Sequence, residues 1–243
     1  MLAFYQFPGP WDVCSASPFC AKLEAFMRWQ DIAYKPVTVT NMKGAPKGKI
    51  PFIEDENGKL GDSDFIIEYL IKKHNLNPDE TLTPEQKGQG RAIRYLCEES
   101  IYRAMVHFRW LDPQGWGIMR ERFFSKIPAF IRPVAEWKIQ GYVRKQLHMQ
   151  GMGRHSPDEI AAIACGDLKV LSDILGNKPF IFGDSMTTAD LVVFSVFANF
   201  TTGPFENPVT QYAKTLGNLM AHADRIRARC FKAESKEYGK QAA

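Results

Sequence analysis

The first apolar block, residues 1–7, is short and aromatic and ends at Pro8-Gly9-Pro10, which predicts a strand followed by a loop. Ser17-Pro18 then opens a helix: serine suits the N-cap and proline the first helical position. Phe19, Leu23, Phe26 and Met27 recur at helical spacing and give that helix one apolar face. Tyr34 to Thr40 is rich in β-formers and predicts a second strand, and the loop at 41–48 leaves room for a short helix. Pro51 to Glu54 and the segment around Leu60 bracket Glu56-Asn57-Gly58, the pattern of a hairpin. Asp62-Ser63-Asp64 caps a further helix with Phe65, Ile66, Tyr69 and Leu70 as its apolar positions. The order is therefore β-α-β-β-β-α.

Asn, Pro, Asp and Thr crowd the stretch 75–84, which predicts a linker. Beyond it the periodicity is helical throughout: 84–111, 124–149 with interruptions near Pro128 and Pro133, 157–175, 188–200 and 209–231, followed by a polar tail expected to fray. Ser156-x-x-Glu159 is a capping box with Pro157 at the first helical position, and Thr187-x-x-Asp190 repeats the box with Asp for Glu. The expected organisation is an α/β domain over 1–76 and an all-helical domain over 84–243.

Composition narrows the function classes. With 45% hydrophobic and 24% charged residues the chain has ordinary globular composition, and its net charge of +4 is too small to argue for nucleic acid. Its five cysteines are odd in number and none has C-x-x-C spacing, which speaks against a disulfide framework and a zinc site; no pair of its five histidines has ligand spacing either, so no metal is expected. The N-terminus lacks a basic region and a long apolar core. The most apolar late stretch, Leu191 to Phe200, is half the length of a bilayer span, so no membrane span and a cytoplasmic location are expected.

Three places could carry chemistry. Ser17-Pro18-Phe19-Cys20 follows the first strand and opens the first helix, where free N–H groups and the helix dipole favour a thiolate and a hydroxyl can donate to a sulfur anion. Taken alone, Ser17-Pro18 reads as a cap, like Ser156-Pro157. Its strand–loop–helix setting and the two motifs that follow favour the chemical reading. Lys49-Ile50-Pro51-Phe52-Ile53 starts a strand at a proline, and a cis Ile50–Pro51 bond would turn the Ile50 backbone toward an extended peptide ligand. Asp62-Ser63 sets a carboxylate and a hydroxyl at another helix N-terminus, suited to a ligand with an ammonium and a carboxylate, or serving only as a cap.

In this order and spacing the three motifs resemble the glutathione transferase superfamily, over nearly the whole chain. Residues 44–70 and 151–198 look like the branch containing the failed axon connections and metaxin-like proteins and bacterial relatives. The resemblance implies a thioredoxin-like first domain, an all-α second domain, glutathione as co-substrate and a homodimer. It also implies Ser17 as the catalytic residue; main-chain pairing of Ile50 beside Pro51 with the cysteinyl unit; Lys49 near the glycyl end; and Asp62 and Ser63 on the γ-glutamyl end. Phe7, Trp11, Tyr102, Met105, Arg109 and Trp110 are the candidates for the electrophile pocket. Tyr5 competes with Ser17, since other transferase classes carry a catalytic tyrosine near the end of the first strand.

The leading expectation is therefore a detoxifying transferase that adds glutathione, held as thiolate, to a mostly apolar electrophile. A metaxin-like adaptor is the rival from another class. A glutaredoxin-like thiol–disulfide exchanger using Cys20 or Cys14 is weaker, because Ser17 stands where the reactive first cysteine would be. The stretch Arg109 to Arg154 carries nine Lys and Arg against Asp112, Glu121 and Glu136, with aromatics interleaved. Amphipathic helices with an aromatic core face and a solvated basic face are expected there, ahead of a surface for nucleic acid or anionic lipid.

Overall fold

A computed structural model describes residues 1–9, 15–39, 42–125 and 127–231. β1 (Leu2–Gln6) runs parallel to β2 (Tyr34–Thr38) and antiparallel to β3 (Phe52–Asp55), which pairs in turn with β4 (Gly58–Gly61). The sheet order is β2-β1-β3-β4. Along β1 burial alternates, so Leu2, Phe4 and Gln6 share the buried face while Ala3 and Tyr5 lie on the other. Leu2 and Phe4 join Leu23 and Phe26 of α1 (Pro18–Trp29) in the core, and α2 (Ser63–His74) packs beside α1. The loop before β3 does hold a short 3₁₀ turn, Pro46–Gly48.

After the linker, α3 (Pro84–Tyr95) passes through a π-helical turn at Leu96–Ile101 into α4 (Tyr102–Trp110). Then follow α5 (Pro113–Phe124), α6 (Arg132–Gln150), α7 (Pro157–Leu175), α8 (Thr188–Thr201), α9 (Pro208–Thr215) and α10 (Gly217–Cys230). α8 is apolar nearly all round, and Ala189 to Phe200 are buried without a break. α1, α3, α9 and α10 all pack on it, so the sheet layer and the helical layer share this central element. The linker is fastened to it as well: Asp79 accepts from the Thr188 amide at 2.9 Å and from its hydroxyl at 2.6 Å. Among the described residues no helix is long and apolar enough to cross a membrane.

Three element boundaries differ from the sequence expectation. α5 was not foreseen: it starts at a cap in which Asp112 accepts from the amides of Gln114 and Gly115 at 3.1 and 3.2 Å. Its two glycines weaken the helical signal, and Gly115 is there for a packing reason. A Cβ at Gly115 would lie 1.8 Å from the Phe108 carbonyl oxygen, so the α4–α5 turn closes backbone against backbone. The helix expected over 124–149 is α6, which begins only at Arg132, after Pro128 O has accepted from Ile131 and Arg132 N–H at 3.0 Å each. The final helix is two helices, broken at Leu216, whose φ of −85° and ψ of 79° leave the helical region.

Candidate active site

The sheet register gathers the three motifs at one end of the sheet. Tyr5 of β1 stands opposite Phe52 of β3, so the Ile50-Pro51 segment lies beside the end of β1 from which the Ser17 loop departs. Phe52 also stands opposite Gly61 of β4, so Asp62 and Ser63 emerge at that same end. Segments far apart in the chain thus become neighbours through two strand pairings.

Ser17 occupies the N-cap position of α1 with extended backbone and is half-buried, yet its side chain makes no cap hydrogen bond. Ser156, in the same dipeptide, behaves differently: its Oγ accepts from the Glu159 amide at 3.3 Å. The hydroxyl of Ser17 therefore does not cap α1 and lies instead beside the Cys20 thiol. The loop below it is held from two sides. Buried Ser15 donates to the Phe7 carbonyl at 3.1 Å and accepts from the Ser17 amide at 3.3 Å. Arg109, reaching in from α4, donates to the Ala16 carbonyl at 2.8 Å. Cys20 lies one turn further along, fully buried, and burial pushes its thiol up to about 11 despite the Phe7 backbone and the Ser17 and Ser15 hydroxyls beside it. At neutral pH it is a protonated core thiol. Cys14 and Trp11 lie outside the described residues.

The Ile50–Pro51 peptide is cis, with the Ile50 side chain buried and Lys49 exposed. Asp62 is exposed, and its Oδ1 accepts from the Asp64 and Phe65 amides at 3.0 and 3.5 Å, a true N-cap of α2. Ser63 is buried. Asp64, grouped with the cap in the sequence, does something else. It accepts from Lys22 at 2.8 Å and from Arg94, while Lys22 also reaches Glu98 at 2.5 Å. Lys22 is 1% exposed and the other three side chains are partly exposed, so this four-charge network ties α1 and the start of α2 to the α3 helix and its π-helical turn around one buried cation. Burial holds the Glu98 carboxyl above its ordinary range, with Lys22 opposing.

Tyr5 is placed differently from Ser17. Its hydroxyl donates to Glu54 at 2.8 Å and its ring stacks on Phe52 with centroids 4.1 Å apart. The bond to Glu54, followed by burial, raises its pKa, which makes it a poorer donor to a thiolate.

Two family models match, the glutathione S-transferase N-terminal domain over residues 18–115 and the glutathione S-transferase C-terminal domain over 164–226. The isoprene-epoxide–glutathione S-transferase of Rhodococcus sp. (strain AD45) is 30% identical over 237 residues, covering 93% of this chain and 98% of the relative. The chain belongs to the glutathione transferase family. Failed axon connections of Drosophila melanogaster is 31% identical, covering 95% of this chain and 58% of the relative. Human metaxin-2 is 24% identical, covering 96% and 89%. Among solved structures, the β-etherase LigF of Sphingobium sp. strain SYK-6 shares the fold with a TM-score of 0.65 at 16% identity, over 94% of this chain and 95% of that one.

The residues expected around the electrophile sort into two groups. Tyr102 stands edge-on to Phe19 with centroids 4.9 Å apart, beside the first turn of α1, and Phe7 and Trp110 are half-buried. Met105 and Arg109 are buried. Besides Ala16, Arg109 donates to Asn199 O at 2.6 Å and Asn199 Oδ1 at 3.1 Å, and its guanidinium lies 4.9 Å from the centre of the Phe205 ring. Burial pulls the Arg109 pKa down to about 10, which leaves it a cation at neutral pH. Its donors fix the Ser17 loop to α8. Ser15 and Lys22 carried no sequence signal for their roles, since one is a lone serine in a loop and the other a charged residue on a helix. Among the described residues no cluster of three His, Cys, Asp or Glu could hold a metal. A groove of about 360 Å³ lies at the other end of α1, lined by Met27, Ile32, Arg229 and Cys230 among others, away from Ser17.

Proposed function

We propose that the chain is a glutathione transferase that holds glutathione as a thiolate against Ser17 and directs it at an electrophilic carbon of a small, mostly apolar molecule. The observation that carries this reading is the Ser17 hydroxyl at the start of α1, which makes no cap hydrogen bond and has the Cys20 thiol as its neighbour, set against the capping hydroxyl of Ser156 and the Glu54-bound hydroxyl of Tyr5. In this reading Ile50 pairs through its main chain with the cysteinyl unit, with Pro51 shaping that segment and Lys49 near the glycyl carboxylate. Asp62 and Ser63 take the γ-glutamyl end. Phe7, Tyr102 and Trp110 line the electrophile side, Trp11 is a further candidate there, and Met105 and Arg109 back the wall. The epoxide named for the Rhodococcus relative belongs to this substrate class. For an epoxide the sulfur–carbon bond forms as the ring carbon–oxygen bond breaks, and the alkoxide takes its proton from solvent.

Calorimetry with reduced glutathione, followed by turnover with an alkenyl epoxide, tests the reading. Binding with turnover supports it. Absence of heat and of any thermal shift at saturating glutathione would favour the adaptor role that the metaxin relatives suggest. Thiol–disulfide exchange through Cys20 is disfavoured by the burial that keeps its thiol protonated.

Asp62→Ala is expected to raise KM for glutathione by tens-fold, about 10- to 150-fold, with kcat little changed. A charge-assisted hydrogen bond contributes about 1.5–3 kcal/mol, and one made far from the sulfur is equal in ground and transition states. An unchanged KM would reduce Asp62 to a helix cap.

A homodimer belongs to the same reading. Phe65 of α2 and Tyr95 of α3 are 53% and 49% exposed, on the two segments that the Asp64–Arg94 pair joins, and are the candidate contact residues. Light scattering should give a dimer mass that Phe65→Ser shifts toward monomer. A monomer mass for the parent chain would remove the dimer.

A further inference from the structure

The aromatic residues of the 109–154 stretch do not all turn inward. Phe124 is buried, and Trp116 packs on it with ring centroids 5.5 Å apart. Phe130 is 82% exposed, Trp137 74%, Val134 52% and Ile131 46%. Phe130 and Ile131 lie on the turn that enters α6, and Val134 and Trp137 lie three residues apart on its first turns, so all four crowd the entry to the helix. The helix turns its opposite face, with Val143 and Leu147, into the protein. The tip is a formed structure: Arg132 donates to the Ile127 carbonyl at 2.9 and 3.2 Å and to the Ser125 carbonyl at 3.1 Å. Phe130 is thus presented on a built turn.

The exposed charges of α6 have one sign. Lys138, Arg144 and Lys145 lie along the outer side of α6, all three exposed, and among the described residues none of them is in an ion pair. The only acid in 127–150 is Glu136, which is 14% exposed and bonded to Arg120 at 2.7 Å. An isologous contact through this face would set each basic row against its own copy, which disfavours a second copy here. Protruding aromatic and aliphatic side chains beside unpaired cations match the interface of an anionic bilayer, where rings enter the headgroup boundary while lysine and arginine stay among the phosphates.

We propose that the turn entering α6 and the outer face of that helix, with Phe130, Ile131, Val134 and Trp137 as the wedge and Lys138, Arg144 and Lys145 as the charge, dock the protein reversibly on an anionic lipid surface. This docking is independent of the chemistry at Ser17.

Co-sedimentation with mixed phosphatidylcholine–phosphatidylglycerol vesicles and with pure phosphatidylcholine vesicles tests it. The full chain should sediment with the anionic vesicles at low salt, stay largely soluble with the neutral ones, and be released as salt rises. Phe130→Ser with Trp137→Ser, and separately Lys138→Glu with Arg144→Glu and Lys145→Glu, should each cut partitioning by about tenfold or more. Both variants should keep the parent's melting temperature and glutathione response. Failure of the parent to bind anionic vesicles at low salt would overturn the proposal. So would loss of binding in the charge variant alone, which would leave a mere polyanion site open to an acidic protein. A fall in molecular mass caused by the aromatic variant would overturn it too, by showing that a second copy covers the face.

Discussion

Asp190→Ala should destabilise the protein by about 3–5 kcal/mol, the range expected when one member of a buried, fully hydrogen-bonded polar set is deleted. Asp190 is fully buried at the start of α8. Its Oδ2 accepts from the Thr187 amide at 2.8 Å and the Thr187 hydroxyl at 2.7 Å. Its Oδ1 accepts from the Ile181 amide at 2.7 Å and lies 2.9 Å from His222 Nε2. Alanine removes the partner of all four at once, and Thr187, Ile181 and His222 are all buried. For a chain of this size the loss corresponds to a fall of roughly 10 °C or more in melting temperature. Asp190→Asn keeps the shape but offers one carbonyl oxygen where two were used, and should fall between the two. Denaturant titration of the three proteins measures the series. A loss below about 1 kcal/mol in the alanine variant would show that the carboxylate is a local cap and not the junction of α8 with α10.

The part of that arrangement legible in the sequence is its local half. Thr187-x-x-Asp190 is a capping signal read within four residues, as are Ser17-Pro18, Ser156-x-x-Glu159 and the start of α2. His222 comes from 32 residues away and gave no sign of its partner. The same division runs through the site. Ser17, Ile50-Pro51 and Asp62-Ser63 could be named because each sits at a strand or helix boundary with its own signature. Lys22, Ser15 and the structural work of Arg109 could not. Lys22 meets Asp64 and Glu98 across 42 and 76 residues, and no periodicity records such a pairing. On the wheel of α1 both Lys22 and Glu24 look like solvated positions, yet both are buried. The outer face of α6 failed in the opposite direction: its aromatics were assigned to a core face, whereas burial is decided by which side of the helix finds a neighbour.

Arg109 also shows how the two layers cooperate at one residue. The loop carrying Ser17 belongs to the sheet layer, whereas the guanidinium that holds its Ala16 carbonyl belongs to α4 and is itself held by Asn199 of α8. The position of the candidate catalytic hydroxyl therefore depends on α8, the helix that Asp190 starts. Damage at Asp190 should reach Ser17 through packing, which is why stability and turnover have to be measured separately.

Ser17→Ala should lower kcat/KM at neutral pH by about 8- to 25-fold, with glutathione binding expected to persist through Ile50 and Asp62-Ser63. A free thiol with a pKa near ~8.5 is mostly protonated at pH 7. A hydroxyl donating to the sulfur anion, with the N-terminus of α1 behind it, should lower that pKa by one to two units, about 1.4–2.7 kcal/mol. The sign follows from the direction of the shift. The anion is favoured by the hydroxyl, so deleting the hydroxyl moves the thiol's titration back toward higher pH. Above that range both proteins hold thiolate and the difference should close. A pH profile of kcat/KM for parent and variant therefore separates loss of activation from loss of fold, which would not recover in alkali. Tyr5→Phe is the companion measurement. The Tyr5 hydroxyl is bound to Glu54 at 2.8 Å and its pKa is raised, so its deletion should leave kcat/KM nearly unchanged. Full activity in Ser17→Ala together with a large loss in Tyr5→Phe would transfer the role to the tyrosine, and would require Tyr5 to leave Glu54 when glutathione arrives.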